Sequence, residues 1–192
     1  MKIRDIIPTR RTNPKTVAKY GQHKDELQKD FHNRCGYCND HDWLRTTYYE
    51  VDHFAPKKVL KTISETDYSN LVYSCRSCNN AKRSKWPTGD EKVANDGEKG
   101  FIDPCDSAYD QQFERTSRGD IVGVTPLGKW MYDALNLRNP SHRCMYNMER
   151  LRIAIEALKG VSNEDEETMS AIGKLALEYF NYEEQLKGKP SF

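Results

Sequence analysis

The chain has 192 residues, 36% of them hydrophobic and 31% charged, with 30 Lys and Arg against 29 Asp and Glu. This balance excludes a collagen-like or disordered chain and fits one or two small globular domains. No run approaches the roughly 18–20 apolar residues of a membrane span, and the start, Met1 to Asp5, has no apolar signal segment, so a cytoplasmic protein with no membrane partner is expected. The near-neutral total hides an asymmetry: residues 1–85 carry 17 Lys and Arg against 10 Asp and Glu, and residues 86–192 carry 13 against 19. A basic first half suits a polyanionic partner, although a solvated helix face gives the same count.

In chain order, Asn13-Pro14 reads as an N-cap with Pro at the first helical position, and Val17, Tyr20, Leu27 and Phe31 follow at helical spacing. Thr46 to Val51 is β-branched and aromatic, a strand signal that runs into Asp52-His53. Residues 54–67 read as a loop, Asn70 to Tyr73 as a short strand, and Asn79 to Lys85 as a two-turn helix stopped by Trp86-Pro87. Gly89 to Gly100 is polar and lacks an apolar period, so it is expected to be a linker between residues 1–88 and a second section, 101–192. That section opens with expected strands at Phe101 to Pro104 and Arg118 to Val124, with a turn at Ser117–Asp120. Three helices close it: one capped by Thr125-Pro126 and running to Leu137, one from Pro140 to Gly160, and one beginning at Ser162 to Asp165.

Four of the six cysteines form two Cys-x-x-Cys pairs, Cys35/Cys38 and Cys75/Cys78, with 36 residues between them. A two-residue spacer lets two thiolates face one ion at about 2.3 Å, and two such turns close a tetrahedral shell of four sulfurs, so a structural Zn2+ is expected. The rival is a pair of disulfides in a secreted chain, which a sequence without a signal peptide disfavours. Four protein ligands leave no open position on such an ion, so any catalysis needs other groups. If the zinc clamps the two pairs, the strand bearing Asp52-His53 lies beside the helix bearing Asn79. An Asp oxygen and an amide oxygen then suit Mg2+ or Mn2+ with a substrate phosphate, and His53 can take a proton. Because neighbours on a strand face opposite ways, Asp52 and His53 converge on one phosphate only at a strand end or bulge.

Cys35-x-x-Cys38, Glu50-Val51-Asp52-His53-Phe54-x-Pro56-Lys57, Tyr68-Ser69-Asn70-Leu71 and Cys75-x-x-Cys78-Asn79-x-x-Lys82 together resemble the zinc-knuckle branch of the HNH endonucleases over residues 31–87. The later part, with Phe101 to Cys105, resembles more distantly the HNH proteins of bacterial defence systems, including the nuclease of Septu-type systems. The resemblance implies an α+β protein: a ββα-metal core stabilised by the four-cysteine zinc site, an N-terminal helix and a mostly helical C-terminal section. It implies that His53 is the general base, that Asn70 orders the loop and orients the base, and that Asp52 and Asn79 ligate the catalytic metal. Asn79 stands where histidine is commoner, and its amide oxygen makes the site harder, favouring Mg2+. The resemblance also implies that Lys82 contacts phosphate. Arg76, Arg83, Lys85, Lys57 and Lys58 are further candidate backbone contacts, with solubility as the rival explanation. Glu50 shares strand parity with Asp52 and reads as an outer partner or a surface residue.

The expected function is metal-dependent hydrolysis of DNA by a bacterial defence effector, under restraint by an ATPase or sensor subunit. The alternatives are an RNA-cleaving enzyme and a zinc-knuckle binding module without catalysis.

Overall fold

Strand alternation over residues 49–53 and 71–75 brings two antiparallel strands, β1 (Tyr49–His53) and β2 (Leu71–Cys75), into a hairpin whose register pairs Tyr49 with Cys75 and His53 with Leu71. The coordinates are a computed structural model, and the residues it describes are 1–44, 48–161 and 165–188. The expected strand residues Thr46 and Thr47 lie outside them. Every residue of β2 is buried, as a strand covered on both faces requires. Helix α2 (Arg76–Lys82) starts directly at the end of β2 and packs against both strands. It begins three residues before its expected start at Asn79. The second cysteine pair is itself the first turn of the helix: Cys75 is the N-cap, and its sulfur accepts from the backbone N–H of Cys78 at 3.4 Å. Arg83, at φ 47°, ends it.

The N-terminal helix, by contrast, begins later than expected. After a 3-10 turn at Tyr20–His23, α1 spans Lys24–Asp30 and buries Leu27, with Phe31 buried just beyond it. Asn13-Pro14 starts no helix because the chain around it is tied down from elsewhere. Arg10 donates to the carbonyl of Leu71 at 2.8 Å and pairs with Asp103, Arg11 grips Asp30, and the Lys15 N–H donates to Glu26. Such bonds outweigh a local propensity of a few tenths of a kcal/mol per residue.

The segment 89–100, expected to be a linker, lies within the same compact unit as the hairpin. Trp86 stacks on Phe101 at 6.1 Å and meets Phe54 edge-on at 5.3 Å, while its indole N–H donates to the carbonyl of Asp90. The turn that follows aims Glu91 inward, where it accepts backbone N–H bonds from Lys61, Thr62 and Ile63. Phe101–Pro104 is not a strand, since Phe101 serves as a core plug with its backbone N–H on the carbonyl of Ala94. The hairpin of this section pairs β3 (Phe113–Arg115) with β4 (Ile121–Gly123). Thr125 caps α3 (Pro126–Ala134) as expected, its hydroxyl accepting from the N–H of Gly128 at 2.8 Å.

The described residues form two compact units, divided not at 89–100 but at Arg138: residues 1–117 with 121–138, and residues 118–120 with 139–192. The second unit holds α4 (Pro140–Val161) and α5 (Glu166–Leu186), which pack on each other. Asp165 caps α5 through the N–H of Thr168, while the expected start at Ser162 lies outside the described residues. No helix is long and apolar enough to cross a membrane among the described residues.

A Cβ on Gly36 would sit 2.7 Å from the Phe31 ring and 2.8 Å from Val72. Gly36→Ala is therefore expected to destabilise by about 1–3 kcal/mol in chemical denaturation. Gly21→Ala, which meets nothing, is the neutral control. The hydrogen bonds from Lys61, Thr62 and Ile63 hold the Glu91 carboxyl down at about 2, from an ordinary 4.5. A depressed folded-state value means that its stabilising effect is complete above about 4.5 and lost as pH falls toward 2. Acid titration of stability should therefore be flatter for Glu91→Gln than for the wild type in that window; identical profiles would contradict it.

Candidate functional site

The two knuckles meet. The sulfurs of Cys35, Cys38, Cys75 and Cys78 all lie within 4.8 Å of one another and are buried, and none of the four is in a disulfide. Cys38 and Cys75 sulfurs are 3.8 Å apart, which is the edge of a tetrahedron with metal–sulfur bonds of about 2.3 Å. The donor set therefore fits zinc, and the disulfide alternative is not what the geometry forms. The backbone N–H of Gly36 donates to the carbonyl of Tyr73 at 2.8 Å, tying the first knuckle to β2.

Alternation along β1 places Glu50 and Asp52 on one face and His53 on the other. Helix α2 lies along the first face, with Asn79 meeting Glu50 and Lys82, one turn on, meeting Asp52. The Asn79 amide donates to Glu50 at 2.8 Å, which leaves its oxygen directed elsewhere. Asp52 is buried. Its Oδ2 accepts from the Tyr37 hydroxyl at 2.6 Å and pairs with the Lys82 ammonium at 3.0 Å. Burial pushes the Asp52 carboxyl up and the Lys82 ammonium down, and their mutual attraction opposes both shifts. Lys82 also donates to the carbonyl of His53 at 2.7 Å and lies over the Phe101 ring. With its side chain wholly enclosed, Lys82 is directed to Asp52 and not to an outside phosphate. Removing either partner of such a pair alone leaves an uncompensated buried charge, a cost of about 3–5 kcal/mol.

His53 sits at the last position of β1, where the strand gives way to the turn before Pro56. Its Nε2 donates to the carbonyl of Glu65 at 2.8 Å, which leaves Nδ1 as the basic nitrogen. The ring of Tyr20 meets it edge-on at 4.5 Å. Burial lowers the imidazole pKa below its ordinary 6.5, assisted by the Lys57 charge and opposed by the Glu65 carbonyl, so His53 is neutral at neutral pH. Asn70 does not touch the ring. It clasps Ala55, accepting from its N–H at 2.8 Å and donating to its carbonyl at 3.0 Å, while its own carbonyl accepts from the Phe54 N–H. The backbone leaving His53 is thereby held on both edges.

The remaining basic candidates divide. Lys57 pairs with Glu65 at 2.7 Å and lies over Tyr20, Lys85 donates to the helix-end carbonyls of Ala81 and Ala134, and Arg83 bonds the carbonyl of Asn80. Arg76 is half exposed, 3.8 Å from Glu50 and beside the Tyr48 ring, and Lys58 is exposed. Residues whose part was not legible from spacing alone are Tyr37, Tyr20 and Glu65, because each reaches the site from another segment. Glu50 was legible only as a strand-parity neighbour.

Residues 35–85 match the family model described as HNH endonuclease, and this segment is an HNH endonuclease domain. Among curated proteins, the chain is similar to the Septu protein PtuB of Bacillus mycoides (strain KBAB4), 27% identical over 118 residues, which cover 51% of this chain and 40% of the relative. The chain thus spans about two-fifths of that protein's length. No solved structure matches it.

The closed thiol cluster predicts about one zinc per chain by elemental analysis. Cys75→Ala should lose it together with the fold of the hairpin, whereas Cys105→Ala should retain it; zinc retained in Cys75→Ala would contradict the site.

Proposed function

We propose that the protein is a metal-dependent endonuclease that hydrolyses phosphodiester bonds in DNA. The observation that carries this reading is the fixing of His53: one ring nitrogen is committed to the Glu65 carbonyl, and the other is left unprotonated as a base. Asn70 is a positioning residue that holds the turn after it. His53 Nδ1 takes the proton of the attacking water, and a neutral imidazole of lowered pKa is ready to do so at neutral pH.

Asp52 and Asn79 are the oxygen donors that would hold the catalytic Mg2+ or Mn2+, with Glu50 bonded to the Asn79 amide as an outer partner. Asp52 offers Oδ1, since its two bonds fall on Oδ2, and Asn79 offers its amide oxygen. A hard divalent cation bound there supplies charge against the phosphate and the departing oxygen. Arg76, Lys58, Lys57, Arg83 and Lys85 are all exposed and are the basic residues available for backbone contact, all but Lys58 once their present partners are exchanged. The likeness to a Septu protein supports a place in bacterial defence; a cytoplasmic location and an ATPase or sensor subunit that restrains the nuclease are part of the same proposal.

Cleavage of plasmid DNA and of an RNA transcript by wild type, His53→Ala and Asn79→Ala, with Mg2+, Mn2+ or EDTA, tests the proposal. The expected result is DNA cleavage that needs added cation and falls by about 10²–10⁴-fold in His53→Ala. Cleavage undiminished in His53→Ala, or tight binding without cleavage under every condition, would contradict it.

A further inference from the structure

His53 owes its ring orientation to a carbonyl in the loop of residues 60–67, so whatever fixes that loop fixes the base. Within the loop, local bonds order the entry, where the Leu60 N–H reaches the carbonyl of Lys57 at 3.2 Å, and the second half, where the Glu65 carboxylate also pairs with Lys57 at 2.7 Å. Asp67 caps the turn to Asn70 through the N–H of Ser69 at 2.9 Å, and its own N–H reaches the carbonyl of Ser64 at 3.0 Å. Residues 61–63 between them are held from outside by one carboxylate. Glu91 accepts from the backbone N–H groups of Lys61 at 2.5 Å, Thr62 at 3.0 Å and Ile63 at 3.3 Å, and from the Thr62 hydroxyl. Three successive N–H groups on one carboxylate form an anion cradle, and charge-assisted bonds of this kind are roughly twice as strong as neutral ones. Glu91 is in turn fixed by the turn at 86–93, where the Trp86 indole and the Val93 N–H both bond the carbonyl of Asp90. Trp86 itself is locked between Phe54 and Phe101.

We infer that Glu91, outside the segment that matches the HNH family, is a positioning residue for His53: through the backbone of residues 61–65 it places the Glu65 carbonyl that holds the imidazole in its Nε2–H form. The inference rests on the proposal that His53 is the base. With Gln at position 91, one of the two acceptor oxygens becomes an N–H2 group facing backbone donors, the cradle opens, and the carbonyl of Glu65 is no longer fixed at 2.8 Å from Nε2.

The test uses the full chain with zinc bound and ¹⁵N-labelled histidine. Ring-nitrogen NMR shifts of His53, assigned by their absence in His53→Ala, report the tautomer, and steady-state cleavage of plasmid DNA reports kcat and KM separately. For Glu91→Gln the expected result is an averaged tautomer pattern in place of the Nε2–H pattern. With it should come a kcat lower by about 10- to 100-fold, as misplacement of a catalytic group on the ångström scale produces, with KM and zinc content unchanged. A Glu91→Gln protein that keeps the wild-type ring pattern, or changes it without loss of kcat, overturns the inference. Should Glu91→Gln fail to fold, Thr62→Val removes only the hydroxyl bond to Glu91, and it must show the same changes to a smaller degree; a wild-type ring pattern there overturns the inference. In a protein that cleaves nothing even as wild type, the base assignment fails, and the ring pattern alone decides whether Glu91 holds His53.

Discussion

Four thiols drawn from two segments 36 residues apart must meet at one point, and the geometry of the first unit depends on that closure. The second pair starts α2, the first is tied to β2 through Gly36 and Tyr73, and a metal joining them clamps the hairpin and helix into one body. A structural zinc contributes on the order of 10–16 kcal/mol in small zinc-finger peptides, comparable with the entire stability of a typical domain. The clamp also reaches the site directly. Tyr37, inside the first knuckle, donates to Asp52 at 2.6 Å, and its carbonyl accepts from Tyr109, so the carboxylate beside His53 is positioned by the first knuckle itself.

The site then resolves a conflict set by strand geometry. Asp52 and His53 are neighbours and must face opposite ways, yet the proposed hydrolysis needs both. The strand ends at His53, and Asn70 fixes the turn that follows, so His53 sits at the edge of the sheet while Glu50 and Asp52 stay on the α2 face. Lys82 spans the two, bonding the side chain of Asp52 and the backbone of His53. Its enclosure makes it a structural cation within the site, and for a lysine that is sustained only by such pairing.

What the sequence disclosed followed the strength of its local signals. The cysteine spacing, the Asp52-His53 strand, the Thr125-Pro126 cap and the final helices rest on short-range rules, and they appear where those rules put them, to within a few residues at their ends. The N-terminal helix and the 89–100 segment did not, because distant partners decide them: Arg10 and Arg11 straighten the chain through Leu71, Asp103 and Asp30, and Glu91 is drawn inward by the N–H groups of a loop 30 residues away. Lys82 illustrates the same limit, since a lysine in a basic helix reads as a surface contact until Asp52 is known to face it. For Glu50, strand parity was a usable signal, but its bond to Asn79 required the helix to begin at Arg76 rather than at Asn79.

The most direct measurement of the clamp's role is hydrogen exchange of the backbone amides before and after zinc is stripped by a chelator. Removal is expected to release protection across residues 49–55 and 71–82 together, including the Phe54 and Ala55 amides held by Asn70, while α4 and α5 keep theirs. Unchanged protection in β1, β2 and α2 without zinc would contradict the account, because the hairpin and His53 would then be held by packing alone.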